Sequence, residues 1–173
     1  MSKKVVLAFS GGLDTSFCVP YLKNEHGYEV HTVMVNTGGF SAEEEKAIEQ
    51  RALTLGAASH KTVNAVETYY NKGIKYLIYG NILKNATYPL SVSSERVFQA
   101  LEVLKHVKEL GADAVAHGST GAGNDQVRFD IVFEVLAPTV EIIAPVREHS
   151  FTRQYEIDFL QNHGFDFSWE KAK

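Results

Sequence analysis

Val5-Val6-Leu7-Ala8-Phe9-Ser10-Gly11-Gly12-Leu13-Asp14-Thr15-Ser16 is the stretch that decides how this chain folds. The apolar run reads as a buried strand, Ser-Gly-Gly as a tight turn, and the segment from Asp14 as the start of a helix. Strand, glycine turn and helix in that order make an oxyanion cradle. Paired glycines let successive N–H groups point inward, and the helix N-terminus adds a partial positive charge. The hydroxyls of Ser10, Thr15 and Ser16 can donate as well. No Lys follows the glycines, which separates this turn from the Gly-rich loop with Lys-Ser/Thr that grips terminal phosphates in common nucleoside triphosphatases. The plain alternative is a β-turn capped by Asp14 or Ser10. The strand just before the turn favours the phosphate reading, because ligands of open parallel sheets sit beyond the carboxyl ends of strands.

Outward from that stretch the pattern repeats. Residues 3–9 read as a strand and 14–24 as a helix ending before Gly27, with Pro20 inside it and a kink expected there. Residues 29–36 form a Val-rich strand broken by Gly38-Gly39. Ser41 and Glu44 then make a capping box for a helix to about residue 55, with Ile48, Ala52 and Leu55 at helical spacing. Residues 59–63 read as a strand, 65–79 as a helix interrupted by Gly73, and 81–93 as a loop. A helix over 94–110 stops at Gly111. A strand over 113–117 runs into Gly118-Ser119-Thr120-Gly121-Ala122-Gly123, followed by a helix over 127–136 and a strand over 140–144. Strands alternating with helices predict an α/β fold, a Rossmann-like three-layer sandwich around a mostly parallel five-stranded sheet. Residues 152–163 suit one more helix. Beyond it, Phe165, Phe167 and Trp169 have no evident layer to cover them and are expected to begin something further along the chain.

With 173 residues, 45% of them hydrophobic, the chain suits one well-packed domain. A formal charge of −4, with no basic run, argues against a general nucleic-acid binder. No stretch is long enough to span a bilayer. The single cysteine, Cys18, excludes an internal disulfide and fits a reducing, cytoplasmic setting. It reads as a small buried hydrophobe rather than a nucleophile. His26, His31, His60, His106 and His163 lack metal-ligand spacing, so no protein-built metal site is expected. His117 suits either a packed, turn-bonding role or one near a ligand. Tyr69, Tyr70, Tyr76 and Tyr79 read as packing and surface residues.

The second glycine turn carries the other half of the chemistry. Two phosphate-type turns after two separate strands imply one ligand held from both sides. In His117-Gly118-Ser119-Thr120-Gly121-Ala122-Gly123-Asn124-Asp125-Gln126-Val127-Arg128-Phe129-Asp130, glycines keep the backbone close, while Asn124, Asp125 and Arg128 offer an amide, a carboxylate and a guanidinium. A helix starting near Asn124 sets Asp125 and Arg128 at i, i+3. The plain alternative is an Asx cap followed by a local Asp-Arg ion pair.

The first turn resembles the pyrophosphate loop of the N-type ATP pyrophosphatases, which cut ATP between its first and second phosphates. The whole set of motifs is similar to the argininosuccinate synthase family. Ala8 to Ser16 matches its ATP loop, Tyr88-Pro89-Leu90 its bacterial substrate loop, and His117 to Arg128 its amino-acid loop, with the likeness continuing through Ala144-Pro145-Val146-Arg147-Glu148. The resemblance implies an adenine nucleotide alpha hydrolase-like fold and an AMP-forming carbon–nitrogen ligase of arginine biosynthesis. Such an enzyme joins citrulline to aspartate through citrullyl-AMP, giving argininosuccinate, AMP and pyrophosphate, with ATP and Mg²⁺.

The resemblance assigns Ala8, Phe9, Ser10, Gly11, Gly12, Leu13, Asp14, Thr15, Ser16, Asn36, Thr37 and Gly118 to the nucleotide. It assigns Tyr88, Ser93, Asn124 and Arg128 to citrulline, and Thr120, Asn124 and Asp125 to aspartate. Asp14, Asp125 and Arg128 would serve the reaction itself. Two positions depart from the family: Ala122 stands where Lys is usual, and Asp130 where Glu is frequent. Loss of that Lys puts aspartate affinity in question. The resemblance also implies that residues 1–165 are an ATP-binding pyrophosphatase-loop domain and 166–173 the start of a linker to a synthetase domain, with a homotetramer for the full protein and activity improbable for this part alone. Two other readings stand beside it: a noncatalytic ATP-binding module, and another pyrophosphate-loop adenylating enzyme such as a tRNA-thiolating type.

Overall fold

The computed structural model describes residues 2–169. Its centre is a sheet of short strands, apolar in the middle and polar at the β3 edge: β1 (Lys4–Ala8), β2 (Glu29–Asn36), β3 (Ser59–Asn64), and, later in the chain, β6 (Ala114–His117) and β7 (Glu141–Ile143). The order is β3-β2-β1-β6-β7 with every neighbouring pair parallel. The chain winds outward from β1 to β3, then crosses over and winds the other way from β6 to β7. The order therefore reverses between β1 and β6, where Ala8 pairs with His117. Such a reversal opens a crevice at the carboxyl ends of the strands.

Side-chain alternation splits the core into two halves. Val5, Leu7, Val30, Met34, Ala114 and Ala116 face one side, with α1 (Leu13–Asn24), α2 (Ala42–Thr54), α7 (Pro145–His149) and α8 (Arg153–Asn162). Val6, Val33, Val35 and Val115 face the other, against α5 (Ser91–Leu110) and α6 (Asp125–Leu136). Strands buried on both faces read as continuous apolar runs, as β1 does. The three-layer α/β sandwich is thus as the sequence predicts, and all five strands of its sheet are parallel.

Local chemistry sets most boundaries. The Ser41–Glu44 capping box is formed, with Ser41 Oγ accepting from the Glu44 N–H and the Glu44 carboxylate accepting from the Ser41 N–H. Gly111 closes α5 in the left-handed conformation at φ +57°. Helix α1 runs through Pro20 without a break. Gly73 lies in a π-helical turn (Tyr70–Ile74) between α3 (Val66–Tyr69) and α4 (Lys75–Tyr79). A Cβ there would sit 3.0 Å from the Phe98 ring, so the missing side chain admits α5.

Four expectations are corrected. Residues 81–93 are not one loop: β4 (Leu83–Lys84) and β5 (Tyr88–Pro89) form a small antiparallel hairpin. Its connection places Asn85 and Ala86 at positive φ, and without a glycine to mark the turn the pattern has no sequence signal. Helix α5 starts at Ser91, earlier than residue 94. The short helix α7 was not anticipated. Finally, the aromatic tail does find a layer of this domain: Phe165, Phe167 and Trp169 pack against the core on the α1, α2, α7 and α8 side of the sheet, with Arg51 of α2 over the Phe167 and Trp169 rings.

Phe17 sits at the junction of α1 with α7 and α8, fully buried with edge-on contacts to Phe151 and Phe159. Phe17→Ala is expected to destabilise the fold by about 3–5 kcal/mol, measured as a lower urea midpoint with an unchanged slope.

Candidate functional site

The first turn is held by its own hydroxyls. Ser10 N–H donates to Thr15 Oγ1 at 3.4 Å, the two hydroxyls lie 3.2 Å apart, and Thr15 Oγ1 donates to the Gly12 carbonyl at 3.3 Å. Gly11 takes φ +75°, and a Cβ there would meet Ile48 of α2 at 2.9 Å, so both conformation and space require glycine. The N-cap of α1 is Gly12, which offers no side chain to the first-turn N–H groups. They remain available to an anion.

The second turn is built from underneath. His117 is buried at the end of β6; Ser119 N–H donates to its Nδ1 at 3.2 Å, so Nδ1 is the acceptor and Nε2 carries the hydrogen toward Asp130 at 2.9 Å. Burial is the largest influence on this imidazole and pushes its pKa below the usual histidine value, against the pull of Asp130. The neutral ring satisfies both bonds. Asp130 also accepts from Arg147, so the shorter carboxylate bridges His117 and Arg147. His117 accordingly takes the packed, turn-bonding role. Gln126 donates to the Gly121 and Gly123 carbonyls at 2.8 and 3.2 Å, fixing the glycine segment on the first turn of α6.

The two turns touch. A Cβ on Gly118 would lie 3.0 Å from both Thr15 Cγ2 and Thr15 N, and 3.1 Å from the Asp14 carbonyl carbon. Around this contact opens a cleft of about 1310 Å³, larger than one small metabolite requires. Ala8, Phe9, Ser10, Gly11, Gly12, Leu13, Asp14, Thr15, Gly118, Thr120 and Asp125 all line it. Asp125 is gripped from two sides, by Arg96 Nε at 3.0 Å and Arg128 Nη1 at 2.6 Å. Burial alone would raise its pKa, but the two guanidinium groups outweigh that and hold the carboxyl below its ordinary value. Arg128 also donates to Ser93 Oγ at 3.0 Å. The Asp-Arg ion pair at i, i+3 is therefore present, and it belongs to a larger network facing the cleft.

The remaining sequence candidates lie outside the cleft lining. Ser16 is fully buried in α1, its hydroxyl without a partner among the described residues. The Asn36 amide donates to the Phe40 carbonyl and Glu45 and accepts from Gly38 N–H, holding the turn whose Gly39 and Phe40 line the cleft. Thr37 donates to Glu95 at 2.5 Å. Asn124 caps α6 through its backbone, and Tyr88 stands half-exposed on the hairpin. Cys18 is buried, and burial pushes its thiol pKa well up, as suits a core residue.

Several lining residues had no sequence signal: Arg51 on α2, Glu95, Arg96 and Gln99 on α5, Arg153 on α8, and Trp169. Each belongs to an ordinary helix or tail, so only the crossing of elements brings it to the cleft. Glu156 is another. It is buried on α8 beside Asp14, and desolvation first, then the charge of Asp14 and a hydrogen bond to it, push its pKa up to about 8. Burial and the Asp14 charge thus favour its protonated form, and its Oε2 has no hydrogen-bond partner among the described residues.

Residues 4–166 match the sequence model of a family described as the arginosuccinate synthase N-terminal HUP domain. Among curated relatives, the chain is 49% identical over 168 residues to an argininosuccinate synthase of Xanthomonas campestris, covering 95% of this chain and 42% of that protein. It is 44% identical over 170 residues to one of Saccharolobus solfataricus, covering 98% and 43%. It is 41% identical over 176 residues to one of Methanocaldococcus jannaschii, covering 100% and 43%. The chain thus spans about two fifths of the length of these relatives.

Two outcomes follow from this geometry. The fold keeps the Glu156 proton up to about pH 8, whereas the unfolded chain releases it near the ordinary glutamate value. Its stabilising contribution is complete below that ordinary value and is lost as pH rises through about 8. Urea stability of the wild type should therefore fall between about pH 5 and 8 relative to Glu156→Gln, which keeps shape and a donor but no titrating proton; parallel profiles would contradict the assignment. Gly118→Ala places a methyl against backbone that cannot yield, and should cost about 1–3 kcal/mol in urea unfolding while forcing the two turns apart.

Proposed function

Because the chain belongs to the arginosuccinate synthase N-terminal HUP domain family, we propose that it is the nucleotide-binding part of an argininosuccinate synthase. In this reading residues 1–165 form the ATP-binding domain, and the chain leads through 166–173 toward a synthetase domain. The observation that carries the proposal is the meeting of the two glycine turns: Gly118 against Thr15, with Thr120 and Asp125 on the same cleft. One wall offers unpaired N–H groups and hydroxyls to phosphate, and the other offers a hydroxyl and a carboxylate to an amino acid.

The chemistry assigned to that arrangement has two steps. The ureido oxygen of citrulline attacks the α-phosphorus of ATP, the bond to the β-phosphate oxygen breaks, and pyrophosphate leaves. The aspartate amine then attacks the activated carbon, AMP departs, and the amine proton is released. The chain supplies no covalent nucleophile; its residues bind, align and neutralise. Ser10, Thr15 and the first-turn N–H groups of α1 receive the pyrophosphate oxygens. Asp125, kept ionised by Arg96 and Arg128, receives the ammonium group of aspartate, with Thr120 on its carboxylate. Arg128 and Ser93 stand behind Asp125 for citrulline. Tyr88, which lies outside the cleft lining, needs the hairpin to close toward the cleft in this reading.

Among the described residues no three His, Cys, Asp or Glu side chains converge on a metal site. In this reading magnesium would arrive with the triphosphate, and Asp14 is the carboxylate of the first turn that would help hold it. The ion would supply charge neutralisation on the leaving pyrophosphate. Among the described residues no helix is long and apolar enough to cross a membrane, and a cytoplasmic homotetramer accords with the proposal. Ala122 leaves the aspartate side one cation short of the family pattern.

Calorimetric titration tests the reading. The protein should bind ATP with Mg²⁺ saturably, and Asp14→Ala should weaken that binding roughly tenfold or more. Extended by the remainder of the chain, it should release pyrophosphate only when citrulline is present. No ATP binding by the wild type, or pyrophosphate release indifferent to citrulline, would refute it.

A further inference from the structure

Arg51, Arg96 and Arg153 line the cleft. Arg96 is met by Glu95 and Asp125, Arg153 is engaged as well, and behind them Arg128 and Arg147 are matched by Asp125 and Asp130. Arg51 differs. Its Nη1 donates to the Gly11 carbonyl at the apex of the phosphate turn, and its guanidinium lies 5.4 Å from the Phe167 ring centre and 5.3 Å from that of Trp169. Among the described residues no carboxylate pairs with it. In a chain of net charge −4, a permanently charged group without a counter-ion, stacked beside an oxyanion cradle, is a vacancy for an anion. Stacking covers the guanidinium face and leaves its N–H edges to hydrogen-bond.

We propose that Arg51 supplies the cation that the glycine turn lacks in its own sequence, and that it binds the β- and γ-phosphates of the nucleotide, the pair that leaves as pyrophosphate. The assignment rests on the nucleotide reading and adds a residue to it. In-line displacement sets its direction. In this reading the attacking oxygen is that of citrulline, placed on the second-turn side by Arg128 and Ser93, so the leaving group points away from the second turn, along the first, toward Gly11 and Arg51. Phe167 and Trp169 hold the guanidinium in place, which gives the aromatic tail a part in shaping the phosphate subsite.

Inorganic pyrophosphate and AMP, titrated separately into the wild type, Arg51→Met and Arg51→Lys, test the assignment. Arg51→Met keeps the apolar stem against the rings. It should weaken pyrophosphate binding roughly tenfold or more while AMP binding stays within about twofold, and Arg51→Lys should recover part of the loss because it restores charge without the fork. Trp169, the sole tryptophan, should change its fluorescence when pyrophosphate binds the wild type. Equal pyrophosphate affinity in the wild type and Arg51→Met, or equal losses for pyrophosphate and AMP, would overturn the proposal, the second outcome marking a merely structural role. A wild type that binds no pyrophosphate would overturn it too. Binding of pyrophosphate lost in Arg51→Met, without any binding of AMP or ATP, would support Arg51 as the oxyanion group and refute the nucleotide function instead.

Discussion

The carboxyl edge of the sheet depends on the approach of Gly118 to the first turn of α1. Adjacent parallel strands bring Ala8 and His117 side by side, so the two turns that follow them must share one small space. Any side chain on Gly118 would collide with the backbone of Asp14 and Thr15. Because the turns touch, donors from both reach one cleft, and a ligand with a phosphate chain and a reacting centre can be held from two sides without a rearrangement of the core.

Beneath that contact lies a set of buried polar partners that keep the turns in shape. His117 joins Ser119 to Asp130, and Asp130 joins His117 to Arg147. Glu156 lies beside Asp14 from α8, but its Oε2 has no hydrogen-bond partner among the described residues. Buried polar groups of this kind cost stability unless they are satisfied, and satisfied they fix one geometry. The second turn is thus tied to α6 and α7, and the first to α2 and α8. Its attachment to α2 runs through Arg51, whose stacked guanidinium also anchors the last described residues of the chain.

Much of this was legible in the residues. The strand-turn-helix segment around Gly11-Gly12, the capping box at Ser41, the stop at Gly111 and the alternation of strands with helices all rest on local rules, and the structure follows them. The hairpin at residues 83–89 was not legible, since its left-handed turn uses Asn85 and Ala86 where a glycine would have given the signal. Nor was the cover over Phe165, Phe167 and Trp169, because the surface that receives them is made by helices distant in sequence.

The amino-acid sequence by itself determined the elements, the parallel α/β class and the two glycine turns at strand ends, because these follow from apolar periodicity, glycine conformation and helix capping over a few neighbouring residues. Only the tertiary structure decided which charges serve the cleft. Arg51, Arg96 and Glu156 come from three different helices, and their roles depend on what lies opposite each: a carbonyl and two rings, a pair of carboxylates, and a single aspartate in a buried setting. Electrostatic function depends on distances and desolvation across the fold, which no local pattern encodes.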